Sequence, residues 1–319
     1  MQAAIKNCEA YLKDKLNGNY SLPKKAENPF PYDYNPDEDV SPLLDVPTAT
    51  YYMQLIGILR WMCELGRLDI CCETSMLSSY SAMPREGHFK AVMHVMGYLK
   101  AHSNSRLIFD PEKPDMSNCG FKEYSKSDWG AEYDGAEELI PVDAPKALGK
   151  SVLLRMFVDS DHAGDKKSRR SRTGFVILVN GGIIDWLSKK QSTIETSVFG
   201  AEFCAMKHGI ENLRGIRYKL RMMGVPIDGA TRIFGDNMSV VTNSSKPEST
   251  LKKKSNSVCY HAVCEAVVMG EALVAHIGTA YNLADLFTKV LYGQARRFLV
   301  GRLLYDVFPY LAKAPTDKT

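Results

Sequence analysis

Four carboxylates have the residue type and the placement to do chemistry together. Asp159 closes the apolar run Val152 to Val158, and Glu202 lies within Phe199-Gly200-Ala201-Glu202-Phe203. Asp236 follows Ile233-Phe234-Gly235, and Asp285 follows Asn282-Leu283-Ala284. Carboxylates brought in from separate elements supply the hard oxygen ligands that Mg²⁺ prefers. Two such cations roughly 4 Å apart activate a water and stabilise the leaving oxygen in phosphodiester hydrolysis. If the four acids converge, they form a two-metal nuclease site.

Taken singly, each acid has a simpler role available. Asp159 reads as a turn residue ahead of Gly164, and Asp236 as a helix N-cap. Glu202 and Asp285 read as first-turn acids favoured by the helix dipole, although Glu195 suits that role better than Glu202. Asp161 has the same strand parity as Asp159, so spacing does not separate the two. The order strand end, helix, strand end, helix is what turns four weak signals into one candidate cluster.

The elements that must position them are legible from Ser151 onward. Val152 to Val158 is a buried-strand pattern, and Gly174 to Val179 is a second strand. Asn180-Gly181-Gly182 signals a hairpin, and Ile183 to Leu187 is the return strand. Thr196 or Ser197 caps a long amphipathic helix that ends near Met223, before Gly224 and Pro226. Thr231 to Gly235 is a fourth strand, followed by a helix from about Asn237, a Lys/Ser-rich loop and a helix over Cys259 to Met269. Ala272 to Ile277 is a fifth strand, and Leu283 to Leu291 reads as helical. Three hairpin-linked strands followed by strand–helix units make an α/β fold built on one mixed sheet.

Upstream the pattern differs. Residues 1–50 hold a short helical segment, Ala3 to Leu16, and then a Pro- and Asp-rich stretch that reads as an extended strap or as disorder. Residues 51–110 form a small helical module, with Leu55, Ile58, Leu59, Met62 and Leu65 on one face and Val92, Val95, Met96 and Leu99 on another. Residues 111–150 read as an acidic, Pro-containing linker or surface excursion, because residues 112–147 carry nine acids against four bases. Residues 151–291 form the sheet domain, and 292–319 a C-terminal tail.

With 319 residues the chain is long enough for two cores. Its net charge of +3 does not by itself indicate a nucleic-acid partner. No apolar run reaches the length of a membrane span, and the N-terminus lacks a secretory h-region. The eight cysteines lie inside apolar segments and read as reduced core thiols. Cys259, His261 and Cys264 do not read as a metal cluster, since position 259 leaves the helical face shared by 261 and 264.

The run Phe157 to Asp165 with Arg169-Arg170-Ser171-Arg172-Thr173-Gly174 resembles the start of the RNase H domain of copia-type LTR retrotransposon Pol polyproteins. The resemblance continues through Ser188 to Thr193, Glu202-Phe203, Phe234-Gly235-Asp236-Asn237, and Asn282 to Lys289. Upstream, Tyr52 to Gly57, Arg67 to Ile70, His88 to Ala91 and Tyr98 to Lys100 resemble the segment between polymerase palm and RNase H. The resemblance implies an RNase H-like mixed five-stranded sheet with flanking helices, preceded by a small helical thumb- or connection-like module. It implies Asp159, Glu202, Asp236 and Asp285 as catalytic ligands of two Mg²⁺ or Mn²⁺ ions, and so selects Asp159 over Asp161. The implied activity is endonucleolytic cleavage of the RNA strand of an RNA–DNA hybrid, in an intracellular setting: cytoplasm, virus-like particle or nucleus.

A Tyr-x-Asp-Asp polymerase motif is absent. No DNA synthesis is expected, and in an intact element the missing polymerase part is the expected partner. Ser255 and Cys264 depart from relatives, which carry a histidine and an arginine near those positions. Basic residues suited to phosphates are Lys166, Lys167, Arg169, Arg170, Arg172, Lys189, Lys190, Lys252, Lys253 and Lys254. Gln191, Ser197 and Asn237 are groups able to read 2′-hydroxyls, and His261 completes the expected nucleic-acid contacts. Trp186 and Trp129 read as packing residues. Two other readings compete with the nuclease: an inactive nucleic-acid-binding remnant, and a DNA-cutting transposase or integrase, which uses three acids.

Overall fold

The computed structural model describes residues 1–16, 20–249 and 256–305. The chain divides into two units, one of residues 1–107, 165–168 and 289 onward, the other of residues 108–164 and 169–288.

The first unit opens with helices α1 (Gln2–Lys15), α2 (Val46–Glu64), α3 (Cys71–Ser78) and α4 (Glu86–Ala101), and a short strand, β1 (Arg106–Leu107). Asp45 caps α2 by accepting the Thr48 N–H at 3.2 Å, and Pro47 occupies the first turn, where its missing N–H costs nothing. The buried stripe of α2 is Tyr52, Leu55, Ile56, Leu59 and Met62. Leu65, assigned to that stripe by spacing, is exposed because the helix ends at Glu64.

In the second unit a five-stranded mixed sheet is built from β2 (Leu154–Asp161), β3 (Arg172–Val179), β4 (Gly182–Lys190), β5 (Thr231–Gly235) and β6 (Ala272–His276), in the order β4-β3-β2-β5-β6. This is the five-stranded mixed sheet with flanking helices expected from the sequence. β2 pairs antiparallel with β3 and parallel with β5, and β5 pairs parallel with β6. Asn180, at φ 54°, turns the β3–β4 hairpin in a left-handed conformation that asparagine tolerates.

Helices α5 (Val198–Met222), α6 (Met238–Ser245) and α7 (Ser257–Val268) cover one face of the sheet. Ser197 caps α5 by accepting the Gly200 N–H, and Gly224, at φ 71°, ends it. Met156, Val158, Phe175, Ile177 and Ile233 point into this core, against Phe203, Met206, Ile210 and Val263. Alternation along the strands sends Phe157 and Phe234 to the other face, where their rings stack 5.0 Å apart. The last helix of this unit, α8 (Asp285–Thr288), is a single turn, where sequence spacing predicts helix from Leu283 to Leu291.

The acidic segment after residue 107 is an ordered strap. Phe121 packs edge-on against Phe234, while Trp129 enters the core under the helices. Glu138 then clamps the strap to α5, accepting from Arg217 Nε at 2.8 Å and Nη2 at 2.9 Å, with Arg221 Nη2 at 2.5 Å. Burial pulls the Glu138 carboxyl up, and Arg217 and Arg221 outweigh it, holding the pKa below the ordinary 4.5. A depressed folded pKa means that this stabilisation is complete above the unfolded value and is lost as pH falls through the folded one. Glu138→Ala leaves the Arg217 guanidinium, 3% exposed, without its carboxylate. It is expected to cost roughly 2 kcal/mol, the low end for a broken buried pair, because Glu138 retains some contact with water. In a Trp61→Phe, Trp186→Phe background, Trp129 emission should shift red on acidification below pH 4.5, and already at neutral pH in Glu138→Ala. An unchanged spectrum in both would refute the clamp.

The chain then returns to the first unit through α9 (Gly293–Val300) and β7 (Leu304–Tyr305), which pairs with β1. What reads as a tail from residue 292 is therefore folded through Tyr305. Arg296, 1% exposed, ion-pairs with Glu73 and donates to the Asp69 carbonyl, while Tyr98 and Arg67 bond the Asp69 carboxylate. Among the described residues no helix is long and apolar enough to cross a membrane.

Candidate functional site

Strand register decides which acids meet. Phe157 on β2 lies beside Phe234 on β5 in the parallel pair. Two residues further along each strand are Asp159 and Asp236, so both carboxylates leave the sheet at the same end, on adjacent strands about 4.8 Å apart. On the other side of β2, Asp159 is paired with Gly174 of β3. The third acid, Asp285, opens α8. Ligand oxygens of Asp159, Asp236 and Asp285 all lie within 4.8 Å of one another. Asp159 and Asp285 are buried, 1% and 6% exposed, and Asp236 is half-buried.

Three local features hold α8 against the strands. Asn282, fully buried, donates from Nδ2 to the Val158 carbonyl at 3.1 Å and accepts the Ala284 N–H at 3.2 Å. Thr288 donates its hydroxyl to the Asp159 carboxylate. Gly174 leaves the space: a Cβ there would meet Thr288 Cγ2 at 2.6 Å, Phe287 Cβ at 2.8 Å and the Ala284 carbonyl oxygen at 3.0 Å. Since Phe175 points into the core under α5, the Gly174 side faces the opposite way, and α8 lies on the other face of the sheet from α5.

No family model matches the sequence. The chain is 24% identical over 242 residues to the Retrovirus-related Pol polyprotein from transposon RE1 of Arabidopsis thaliana, covering 76% of this chain and 14% of that protein. It is 24% identical over 240 residues to that of transposon TNT 1-94 of Nicotiana tabacum, covering 75% and 15%. The chain is homologous to copia-type retrotransposon Pol polyproteins. It spans about one seventh of the length of these Pol relatives. A solved structure of LC11-RNase H1 in complex with RNA/DNA hybrid aligns with 17% identity and TM-score 0.35, over 42% of this chain and 93% of that one.

Of the quartet implied by the Pol resemblance, three acids meet. Glu202 is buried, 7% exposed, but lies outside the group whose oxygens are mutually within 4.8 Å. Its carrier is α5, which packs on the face of the sheet opposite α8. Asp161, left open against Asp159 by parity, accepts the Arg172 N–H in the β2–β3 connection and is outside the group too.

The expected nucleic-acid contacts divide. Arg169, Arg170 and Lys189 are exposed, and Lys190 is half-buried at the end of β4. Arg172 is 6% exposed within β3. Gln191 is also buried, with Nε2 donating to Thr173 Oγ1 at 3.1 Å and to the Ala201 carbonyl at 3.0 Å, so its amide fastens β4 to α5. Ser197 and Asn237 cap α5 and α6 with their oxygens. His261 is exposed on α7, with Nδ1 2.7 Å from the Tyr133 hydroxyl of the strap. Cys264 is fully buried against the Asn243 carbonyl, a packing position. Lys252, Lys253, Lys254 and Ser255 lie outside the described residues.

Residue type alone does not single out Thr288 or Gly174, yet both carry a signal. Thr288 is three residues after Asp285, which puts both on one face of a helix. Gly174 interrupts a run of strand-forming residues, a mark of close approach by another backbone.

Proposed function

We propose that this chain cleaves the RNA strand of RNA–DNA hybrids by two-metal phosphodiester hydrolysis, with Asp159, Asp236 and Asp285 as central ligands and Glu202 as the fourth. The observation that carries the reading is the convergence of three aspartates from two strand ends and α8. Three carboxylates brought together in a largely buried place repel one another and favour a neutralising cation. The donors are all hard oxygens, which fits Mg²⁺ or Mn²⁺. When bound, such ions supply a nucleophilic hydroxide at neutral pH and neutralise charge on the leaving 3′-oxygen. The chain's own part is positional. Asn282 and Thr288 set the orientation of Asp285 and Asp159, and the paired β2 and β5 ends set the separation of Asp159 from Asp236.

Arg169, Arg170, Lys189 and Lys190 are proposed to hold backbone phosphates, and Asn237, beside Asp236, to donate its amide N–H to a 2′-hydroxyl. In the double variant Arg169→Ala, Arg170→Ala the plot of log affinity against log salt is expected to flatten by roughly 0.7–0.9 for each phosphate no longer neutralised. Fluorescence anisotropy on a labelled hybrid at several salt concentrations checks this, and an unchanged slope would remove both residues from the interface.

The deciding experiment incubates the purified chain with a 5′-labelled RNA strand annealed to DNA, in Mg²⁺ and in EDTA. Internal cuts in the RNA, with Mg²⁺ only and absent from single-stranded RNA, are the expected result. Salt-dependent hybrid binding with no cutting in Mg²⁺ would favour the inactive binding remnant. The three-acid cluster also suits a DNA-cutting transposase or integrase. Glu202→Gln separates the two, because loss of hybrid cleavage supports the hybrid nuclease and retained cleavage of duplex DNA supports the alternative.

A further inference from the structure

Gln191 occupies a buried position just after β4, and only one end of its amide is matched. Its backbone N–H donates to the Ser171 carbonyl at 2.8 Å, which fixes it beside the start of β3. Nε2 then donates twice, to Thr173 Oγ1 at 3.1 Å and to the Ala201 carbonyl at 3.0 Å. A carbonyl oxygen only accepts, so the nitrogen must be the end of the amide that faces α5. Both of its hydrogens are thereby used, one on the strand and one on the helix.

The oxygen end is different. Gln191 Oε1 is buried with no hydrogen-bond partner among the described residues, and so is Ser160 Oγ, 4% exposed. Ser160 is paired with Thr173 in the β2–β3 register, so their Cβ atoms stand about 5 Å apart, on the face that carries Val158 and Phe175. Burying oxygens without partners costs stability that an apolar side chain of the same size would not lose. Stability therefore does not account for a glutamine here. What its amide supplies is a fixed distance between β3 and the first turn of α5. Each group that it joins lies next to an acid: Ala201 precedes Glu202, and Thr173 precedes Gly174, the residue paired with Asp159.

We propose that Gln191 is a positioning residue for the metal site: its amide holds the first turn of α5, and with it Glu202, at a set place against the Asp159 end of the sheet. This role rests on Glu202 being the fourth ligand, as proposed above, and adds the group that orients it. Glu202 is outside the three-aspartate group, so its approach to a cation depends on where the first turn of α5 is held. The Ser197 cap settles where the helix begins, but that bond runs to Gly200 in the same segment and does not reach the sheet. The Gln191 amide makes a polar tie to the sheet, at the carbonyl one residue before the acid.

The test measures Mn²⁺ binding to the full chain through the loss of the free-ion electron paramagnetic resonance signal, so it does not depend on cleavage. Gln191→Met keeps the length of the side chain and removes both donors. It is expected to weaken binding by about tenfold, the low end for a group that orients a metal ligand. Glu202→Gln should weaken it at least as much, and the double variant no further than Glu202→Gln, because Gln191 acts through that acid. A merely structural amide would lower the melting temperature of Gln191→Met and leave Mn²⁺ affinity at the wild-type value, which would overturn the proposal. Losses that add in the double variant would overturn it as well. If Gln191→Met does not fold, Thr173→Val takes its place, keeping the branched shape and deleting the acceptor on β3. A loss of about threefold is expected there, regained in Thr173→Ser, and wild-type affinity in Thr173→Val would be the overturning result. Cleavage of the labelled hybrid is followed in the same proteins. Wild-type protein that binds Mn²⁺ without cutting would defeat the nuclease function and leave the binding cycle to decide the role of Gln191. Wild-type protein that cuts, with additive losses in the variants, would defeat the role of Gln191 alone.

Discussion

Asp159→Asn is expected to lower hybrid cleavage by at least ~10³-fold, about 4 kcal/mol of transition-state stabilisation. Asparagine preserves the shape of the side chain, so the loss comes from the charge that holds the cation. The same change removes one of three carboxylates whose oxygens lie within 4.8 Å. Mutual repulsion is thereby relieved, and without metal the variant should melt at the wild-type temperature or above it. Wild-type protein should gain stability with Mg²⁺, by about 2.7 kcal/mol at a hundred times the dissociation constant, and the variant should gain far less. Asp161→Asn is the matched control. Its carboxylate accepts the Arg172 N–H, an acceptor role that an amide oxygen retains, so cleavage should stay within about threefold of wild type. Cleavage kinetics and thermal melts with and without Mg²⁺ read both quantities. Equal activity in wild type and Asp159→Asn would end the assignment, as would greater loss in Asp161→Asn.

Gly174→Ala should be the most damaging substitution that changes no charge. Its methyl would stand 2.6 Å from Thr288 Cγ2, 2.8 Å from Phe287 Cβ and 3.0 Å from the Ala284 carbonyl oxygen. Two of those atoms belong to a β-branched side chain and a backbone carbonyl, neither of which swings away, so α8 itself must move. Overpacking of this kind costs about 1–3 kcal/mol. The displacement also carries Asp285 away from Asp159, and a misplacement of about 1 Å is enough for a ~10²-fold loss of rate. Thr288→Val isolates the hydroxyl from the packing, because it keeps the branched shape and deletes the donor to Asp159. A rise of about tenfold in the Mg²⁺ concentration for half-maximal cleavage is expected, and Thr288→Ser should restore it. Wild-type metal dependence in both Gly174→Ala and Thr288→Val would show that α8 does not position the site.

Strands and caps are legible in the sequence because their signals are short-range. Thr231–Gly235 is a strand in sequence and structure alike, and Ser197 caps α5 as its residue type suggests. Spacing extends α8 too far, since the apolar residues after Thr288 satisfy helical periodicity while the chain there passes to the first unit. Residue type marks Arg172 and Gln191 as solvent-facing ligands, and the sheet encloses both. The segment beyond residue 292 gives no sign that Arg296 is buried against Glu73, because a buried arginine is identifiable only once its partner is in place.

The amino-acid sequence by itself determined that acids would stand at strand ends and helix starts, and through its motif order it pointed to the Pol polyproteins. It did not determine which acids converge. That depended on the register of β2 against β5, which sets Asp159 beside Asp236, and on the placement of α8, which brings Asp285 to them. Register and helix placement arise from contacts between residues far apart in the chain, so no local pattern of residue types encodes them.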